Sequence, residues 1–567
     1  MTMSPSQTGG HLLVRCLIEQ GVKHVFGVPG ESYLAALDGF HEYTDAIEFI
    51  PNRQEGGAAY MAEAVGKLTG RPGVCFVTRG PGATNACIGV HTAFQDSTPM
   101  VLLIGDVAQD ARDREAFQEV DFTAMFGPLA KSVQRVDDVN RIPEYVQRAF
   151  AVAMNGRPGP TVLVLPEDML TQSTQALPLP RVEAVRGGVD PAGLAELLSH
   201  LRGAKKPLVI LGGGGWSAQA CLDVESFAHQ WGLPVACAFR FQDLFDNRDD
   251  NYVGDVGLGI APHLAAAVKD ADVLLVLGAR LGESTTSGYA LVPVGQRREG
   301  LLHVHADPEE LYRVYTPTLA INSGMAAIAA ALAQSASPPN CAWSDWRVQL
   351  RQAYERHSSP VHARRETPGD VDMFAVMAHV RSHLPAETVC TNGAGNFATW
   401  LHRFYPLPGW ARGQRTQLAP TNGSMGYGAP AGIAAAIVSG RPVLAFVGDG
   451  DFLMNGQELA TATAQGARLV IVLVNNGMYG TIRMHQEREY PARLAGSGLH
   501  NPDFVGLAKA YGFEASRVTR TEHFEKAWSE AWSATGGYLI EVVIDPEVIT
   551  PKLTLNEIRE ASRSSAN

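Results

Sequence analysis

The sequence predicts an α/β protein built as three doubly wound domains, each on a parallel sheet. Short apolar, β-branched runs alternate with Ala-rich helical stretches along the whole chain. The runs are continuous, not alternating apolar and polar, which suits strands buried on both faces and joined by crossover helices. Two stretches rich in Pro, Ser, Thr or Gly read as linkers, residues 171–188 (TQSTQALPLPRVEAVRGG) and 333–346 (AQSASPPNCAWSDW). The expected domains are therefore 1–180, 190–335 and 360–550, followed by a polar, mobile tail over 551–567.

The strand candidates, in order, begin with VCFVT (74–78), PMVLLIG (99–105) and TVLVLP (161–166) in the first block. PLVILG (207–212) and VLLVLG (273–278) follow in the second, and PVLAFVG (442–448) and LVIVLVN (469–475) in the third. A length of 567 residues supports two to four cores of ordinary size. Whether the first and third blocks are related folds is open at this level.

Composition excludes several functions. The net charge is −12 with no Lys/Arg-rich run, so neither nucleic acid nor an anionic membrane is an expected partner. Seven cysteines, at 16, 75, 87, 221, 237, 341 and 390, are scattered and form no C-x-x-C pair. They read as reduced thiols of a cytoplasmic protein, not as a disulfide frame or zinc site. The opening MTMSPSQTGG lacks a basic region followed by an apolar run, so no secretory signal is expected. No apolar stretch is long enough to span a bilayer.

One βαβ unit carries the strongest chemical signal. PVLAFVG stops at Gly448-Asp449-Gly450, NGQELATATAQG (455–466) is helical, and LVIVLV leads into Asn475-Asn476. Ligands gather at the carboxyl ends of strands in such sheets, and the unit sets Asp449 and Asn476 on adjacent strand tips. Magnesium takes oxygen ligands in a small octahedron and shares them with phosphate. One carboxylate, one amide oxygen and one backbone carbonyl would leave room for two diphosphate oxygens. Gly448 and Gly450 permit close approach of the backbone, and the helix start offers N–H groups to an anion. The bland alternative for GDG by itself is an Asp-Gly turn with a helix cap.

With both tips in place, the chain resembles the thiamine diphosphate (ThDP) enzymes, whose cofactor signature looks like GDG followed by NN. The resemblance implies Asp449 and Asn476 as side-chain ligands of Mg²⁺, the carbonyl of Met478 as a third ligand, and Tyr479 beside the cofactor. Asp451 stands where many relatives have a small polar residue, and an acid there is awkward next to diphosphate. TNGAGNF (391–397) looks like a companion diphosphate loop, with Gly395 and Asn396 at the matching positions. In TNGSMGYGAPAG (421–432), Met425 matches the bulky apolar residue that bends the cofactor. Without the resemblance it would read as core filler.

RQEGGAA places a lone acid, Glu55, before a helix of small residues, and TRGPGATN (78–85) follows. Together they resemble the pyrimidine-binding pattern of the family. Glu55 would then hydrogen-bond the pyrimidine nitrogen and activate the cofactor, a role helped by burial of the carboxyl against an apolar ring. Pro81 and Asn85 would line the ring. The alternatives are a helix-capping Glu and a Gly/Pro turn. The family's active sites lie between subunits, which implies a homodimer or homotetramer. The first block is then the pyrimidine-binding domain and the third the diphosphate-binding domain.

Within the family the resemblance is to acetohydroxyacid (acetolactate) synthase large subunits, through FGVPGESY (26–33), REAFQEVDFTAMFGPLAKSV (114–133) and NGRPGPTVLVLPEDML (155–170). It implies that Phe117, Gln118 and Lys131 line the substrate channel. Lys131 would attract a 2-oxo acid carboxylate and Gln118 would bond an acceptor carbonyl. Their plain alternatives are a solvated Lys and an exposed helix Gln. His485 stands where the biosynthetic synthases have Trp, which sets this chain apart from the branched-chain role. HTAFQDSTP (91–99) lacks the His-His pair of simple pyruvate decarboxylases.

FAD stays open. VILGGGGWSAQA (209–220), GARLGESTTSG (278–288) and HVHADPEE (303–310) partly resemble the synthases' flavin regions, yet the charges after Arg280 match poorly, and many relatives keep this domain empty. A Gly run after a strand is weak evidence of a nucleotide site. The expected reaction is decarboxylation of a 2-oxo acid, pyruvate first, and ligation of the fragment to a second carbonyl, giving a product such as 2-acetolactate. The enzyme class is a transferase of the carboligase/decarboxylase kind. The alternatives are a ThDP-dependent decarboxylase or aldehyde lyase, a flavin-dependent oxidase, and a regulatory nucleotide-binding protein.

Overall fold

A computed structural model describes residues 6–410 and 413–565. The chain divides into two compact units, Met1–Val185 and Arg186–Asn567. The first holds one six-stranded sheet and the second holds two, and all three are parallel throughout.

In the first unit the strands are β1 (His24–Gly27), β2 (Glu48–Pro51), β3 (Gly73–Val77), β4 (Met100–Asp106), β5 (Ser132–Arg135) and β6 (Pro160–Pro166). Their spatial order is β2-β1-β3-β4-β6-β5. β3, β4 and β6 are buried along their whole length, as continuous apolar runs require.

Two helices of this unit carry candidate site residues at their starts. Glu55–Thr69 begins where the Gln54 side chain accepts from Gly57 N, and it stops at Gly70, whose φ of 70° suits glycine. Gly80–Asp96 lies against it so closely that a Cβ on Gly89 would sit 2.4 Å from that of Ala59. The far ends are tied by a buried ionic group. Lys67 pairs with Asp96 and with Glu63 at 3.1 Å, and Thr98 Oγ1 donates to Glu63. Removing Lys67 would leave two buried carboxylates without their cation, at a cost of about 3–5 kcal/mol.

In the second unit, β7 (Pro207–Leu211), β8 (Val235–Ala238), β9 (Tyr252–Val256), β10 (Val273–Leu277), β11 (Leu301–His305) and β12 (Leu319–Asn322) form the middle sheet. Its order, β9-β8-β7-β10-β11-β12, is that of dinucleotide-binding folds. β13 (Val389–Asn392), β14 (Gln417–Leu418), β15 (Val443–Gly448), β16 (Val470–Asn475), β17 (Glu514–Val518) and β18 (Tyr538–Val543) form the last sheet. Its order, β14-β13-β15-β16-β18-β17, repeats that of the first unit. The first and third blocks, whose relation the residues leave open, thus share one strand order.

A buried ion pair fixes the edge of the last sheet. Asp243 Oδ2 accepts from Arg415 Nε at 3.0 Å and from the backbone of Thr416 and Gln417. This holds β14, which leads into the loop bearing Met425. The stretch read as a second linker is also anchored: Trp343 is buried, and its Nε1 donates to Trp231 O at 3.0 Å.

Two sequence expectations change. The helix expected over 455–466 is a 3-10 turn Gly456–Glu458 followed by a helix Leu459–Ala464, and a separate short helix Asp449–Phe452 precedes it. Asn455 interrupts it by donating its amide to Gly426 O at 3.0 Å, a local bond that competes with helix. The tail is not a loose polar segment. It forms a helix, Leu555–Ser565, whose Leu555 and Ile558 pack with Met478 and Ile549. Arg559 also donates to Glu487, which is wholly buried.

Candidate active site

In the first unit, Glu55 opens its helix half-buried, and Asn85 Nδ2 donates to its Oε2 at 2.9 Å. A Cβ on Gly82 would lie 3.4 Å from Glu55 Oε1, so the carboxylate stretches across the first turn of the second helix. Pro81 is exposed in that turn, and its carbonyl accepts from Thr84 Oγ1.

Gln118 has a left-handed backbone, φ 65°, and its carbonyl accepts from Gly80 N at 3.0 Å. Asp113 and Glu115 share that conformation, which non-glycine residues adopt at some cost. Glu119 holds the loop by accepting from Asp113 N and Ala116 N. Phe117 is exposed, with the Arg79 guanidinium 5.9 Å from its ring centre. Gln118 therefore sits on a loop bonded to the start of the GPGATN helix, and the helix-surface alternative does not hold.

Lys131 lies beside a helix end. Its Nζ donates to the carbonyls of Val152 and Asn155, at the end of the helix Ile142–Met154. A cation there satisfies carbonyls the helix cannot. Lys131 thus caps that helix in this arrangement.

In the second unit the two strand tips meet as the sequence implies. Gly448 pairs with Val474, so Asp449 comes opposite Asn475, with Asn476 one residue further. Asp449 is buried. Its Oδ1 accepts from Gly450 N at 3.0 Å, and its Oδ2 from Gly477 N at 2.9 Å and Asn501 Nδ2 at 2.7 Å. Burial pushes its carboxyl up from the ordinary value, and these donors oppose that push. Gly448 and Gly450 are close-approach positions: an added Cβ would meet the Phe397 ring at 2.6 Å and the Tyr479 ring at 2.7 Å.

The neighbouring residues assemble around this pair. Asn476 Oδ1 accepts from Met478 N at 3.2 Å. Tyr479 N donates to Ser497 O, and Met478 is buried. Gly395 has φ 158°, and Asn396 accepts from Thr481 Oγ1 at 3.1 Å, joining the loop to the helix Gly480–Glu489. Met425 is half-buried in the loop after β14. His485 lies exposed on the helix Gly480–Glu489.

Asp451, awkward from sequence, is explained by packing. It is buried, and its Oδ1 accepts from Gly426 N at 2.8 Å, next to Met425. Burial pushes its carboxyl up to about 7. It anchors the Met425 loop from beneath.

Sequence reasoning missed Asn501. The run HNPDF reads as a cap for the helix Phe504–Ala510, and nothing local reveals a partner far back in the chain at Asp449.

The donor set fits a divalent cation. A buried carboxylate is costly without a compensating charge. Asp449 has only N–H donors, and no cationic side chain among the described residues pairs with it. One cavity of the middle domain is too small by itself for FAD. At the ends of β10 and β11, a cavity of about 70 Å³ is lined by Arg280, Tyr289, His303, Glu310, Arg313 and Tyr315. Pockets for drug-sized ligands run to roughly 300–1,000 Å³. Both arginines face Glu310, at 3.2 and 3.4 Å, so an anionic ligand would meet a carboxylate there.

Comparison with known proteins identifies the family. Three thiamine pyrophosphate enzyme family models match the chain: the N-terminal TPP binding domain over residues 7–125, the central domain over 194–332 and the C-terminal TPP binding domain over 393–542. The chain belongs to the thiamine pyrophosphate enzymes and is a ThDP-dependent enzyme. Nearly its whole length is similar to acetolactate synthases. It is 30% identical to the mitochondrial acetolactate synthase of Schizosaccharomyces pombe, covering 95% of this chain and 83% of that protein. It is 30% identical to the isozyme 2 large subunit of Escherichia coli, covering 95% of each. The large subunit of Parasynechococcus marenigrum is also 30% identical, over 94% of this chain and 87% of its own. No helix among the described residues is long and apolar enough to cross a membrane.

Proposed function

We propose that the chain decarboxylates a 2-oxo acid, pyruvate first, and joins the remaining fragment to a second carbonyl, as its relatives' name implies. ThDP supplies the electron sink for decarboxylation when bound. Asp449 and Asn476, with the Met478 carbonyl, hold Mg²⁺. Gly395, Asn396, Gly448, Gly450 and Tyr479 surround the diphosphate, and Met425 shapes the cofactor.

Glu55 holds a proton at the pyrimidine nitrogen, steadied by Asn85, with Pro81 along the ring. Gln118, fixed by its bond to Gly80, presents its amide to the acceptor carbonyl. We assign the complete site to a homodimer or homotetramer in the cytoplasm, with scattered unpaired thiols as support for a reducing compartment.

The observation that carries this reading is Asp449: a buried carboxylate, bonded only by N–H donors, between two strand tips. The test is to incubate the metal-free apo-protein with ThDP, Mg²⁺ and a panel of 2-oxo acids and to identify products by mass. Acetolactate from pyruvate is the expected result, and Glu55→Gln should cost about 100-fold or more in turnover. A Glu55→Gln enzyme that binds ThDP and keeps most turnover defeats the assignment.

A second reading is favoured by His485, exposed where the biosynthetic synthases have Trp. That reading is a decarboxylase or aldehyde lyase, and acetoin or acetaldehyde as the main product would establish it.

A further inference from the structure

Asn501 joins the two strand tips through one nitrogen. Its Nδ2 donates to Asp449 Oδ2 at 2.7 Å and to Asn475 Oδ1 at 2.9 Å. Asn475 Nδ2 in turn donates to Glu541 Oε1 at 2.8 Å, on β18. Glu541 is buried, and its Oε2 accepts from Arg517 Nε at 2.6 Å.

The direction of every bond in this chain is determined. Ionised carboxylates only accept, so Glu541 must face the NH₂ of Asn475. That turns Asn475 Oδ1 toward Asn501 and obliges Asn501 to present its own NH₂. The same NH₂ then reaches Asp449. Asn501 Oδ1 is buried and accepts nothing among the described residues. The side chain therefore acts as a donor alone.

This distributes the lone pairs of Asp449 unequally. Oδ2 takes two donors, Gly477 N and Asn501 Nδ2. Oδ1 takes one hydrogen bond from another residue, Gly450 N. A carboxylate oxygen has about two lone-pair sites, so Oδ2 is saturated and Oδ1 keeps one for a cation. We propose that Asn501 is a positioning residue that restricts Asp449 to one-oxygen coordination through Oδ1, so that the site prefers Mg²⁺ to larger cations.

The preference follows from size. Mg²⁺ demands a near-ideal octahedron of single oxygens, whereas Ca²⁺ accepts both oxygens of one carboxylate at longer distance. Without the Asn501 donor, Oδ2 regains a lone pair and the carboxylate can turn. This inference rests on the Mg²⁺–ThDP reading of the site.

The experiment is calorimetric titration of Mg²⁺ and of Ca²⁺ into metal-free full-length protein with saturating ThDP. Wild type is compared with Asn501→Ala and Asn501→Leu. Leucine matches the size of asparagine, and the buried oxygen it removes has no partner. Both variants should lose about tenfold or more in Mg²⁺ affinity. Ca²⁺ affinity should fall less, so that the Mg²⁺/Ca²⁺ preference shrinks about fivefold or more.

A folded variant with the wild-type preference overturns the role of Asn501. So do two variants that both fail to fold, because the bridge is then part of the fold and not of the metal site. Wild-type protein that takes up no Mg²⁺ in the presence of ThDP overturns the underlying reading instead.

Discussion

Asn85 donates its side-chain amide to Glu55 Oε2 at 2.9 Å, so two residues from different helices of the first unit act as one group. A neutral donor keeps the carboxylate oriented without competing for its proton. Asn85→Ala should lower kcat about tenfold, the scale of one hydrogen bond to a charged group, with KM for ThDP changed less than about threefold. Asn85 is exposed, so the thermal midpoint should barely move. Steady-state kinetics in ThDP and pyruvate check the split.

Arg559 is the fastening of the C-terminal helix. Its guanidinium donates to both oxygens of Glu487, which is buried and also accepts from Ala492 N. Arg559→Ala should destabilise the protein by about 3 kcal/mol, because a buried carboxylate loses its counter-charge. Arg559 also lowers the Glu487 carboxyl below its ordinary value, so the wild-type attachment weakens as pH falls through that lowered value. Limited proteolysis of the tail, faster in the variant, is the measurement.

Acid should destabilise the second unit earlier than carboxylate protonation requires. Burial holds His303 down to about 4, with His305 adding to the effect. It holds His357 and His402 down to about 3, helped by Arg403 and Arg240 respectively. An unfolded histidine titrates near 6.5. Between about 4 and 6.5 the unfolded chain binds protons that the folded chain does not, so stability rises with pH across that window and drops on acidification. Urea midpoints measured from pH 8 to pH 5 should decline below about 6.5. His402→Gln should flatten the decline.

The purified enzyme should carry no flavin. The middle-domain cavity of about 70 Å³ and the pairing of Arg280 and Arg313 with Glu310 oppose a dinucleotide. The expected outcome is protein without flavin absorbance in the visible, and carboligase activity unaffected by added FAD. A yellow preparation that loses activity when stripped of FAD contradicts this.

Local patterns carried much of this architecture. Continuous apolar runs announced the buried parallel strands, and Gly448-Asp449-Gly450 with Asn475-Asn476 announced the paired tips, because a strand end and its loop are written side by side. Long-range partners were hidden. Lys131 looks available until the fold brings the carbonyls of Val152 and Asn155 onto it. The tail is polar on average, and only Arg559 meeting Glu487 shows why it folds down. Asn501 reads as the approach to a helix cap, since hydrogen bonding to Asp449 exists only in three dimensions. The left-handed backbone at Gln118 has no signature in residue type.

The strand order shared by the first and last sheets bears on how the chain came to divide its labour. After the second strand of each comes Glu55 in one and Met425 in the other. After the third come Pro81 and Asn85, and Asp449; after the fourth, Gln118 and Asn476. Equivalent crossovers of a repeated scaffold thus bear the organic-ring candidates in one copy and the phosphate-and-metal candidates in the other. The middle sheet is wound differently and stands outside that repeat, yet it is tied to one copy, because Asp243 beside it braces β14 through Arg415 and the backbone of Thr416 and Gln417.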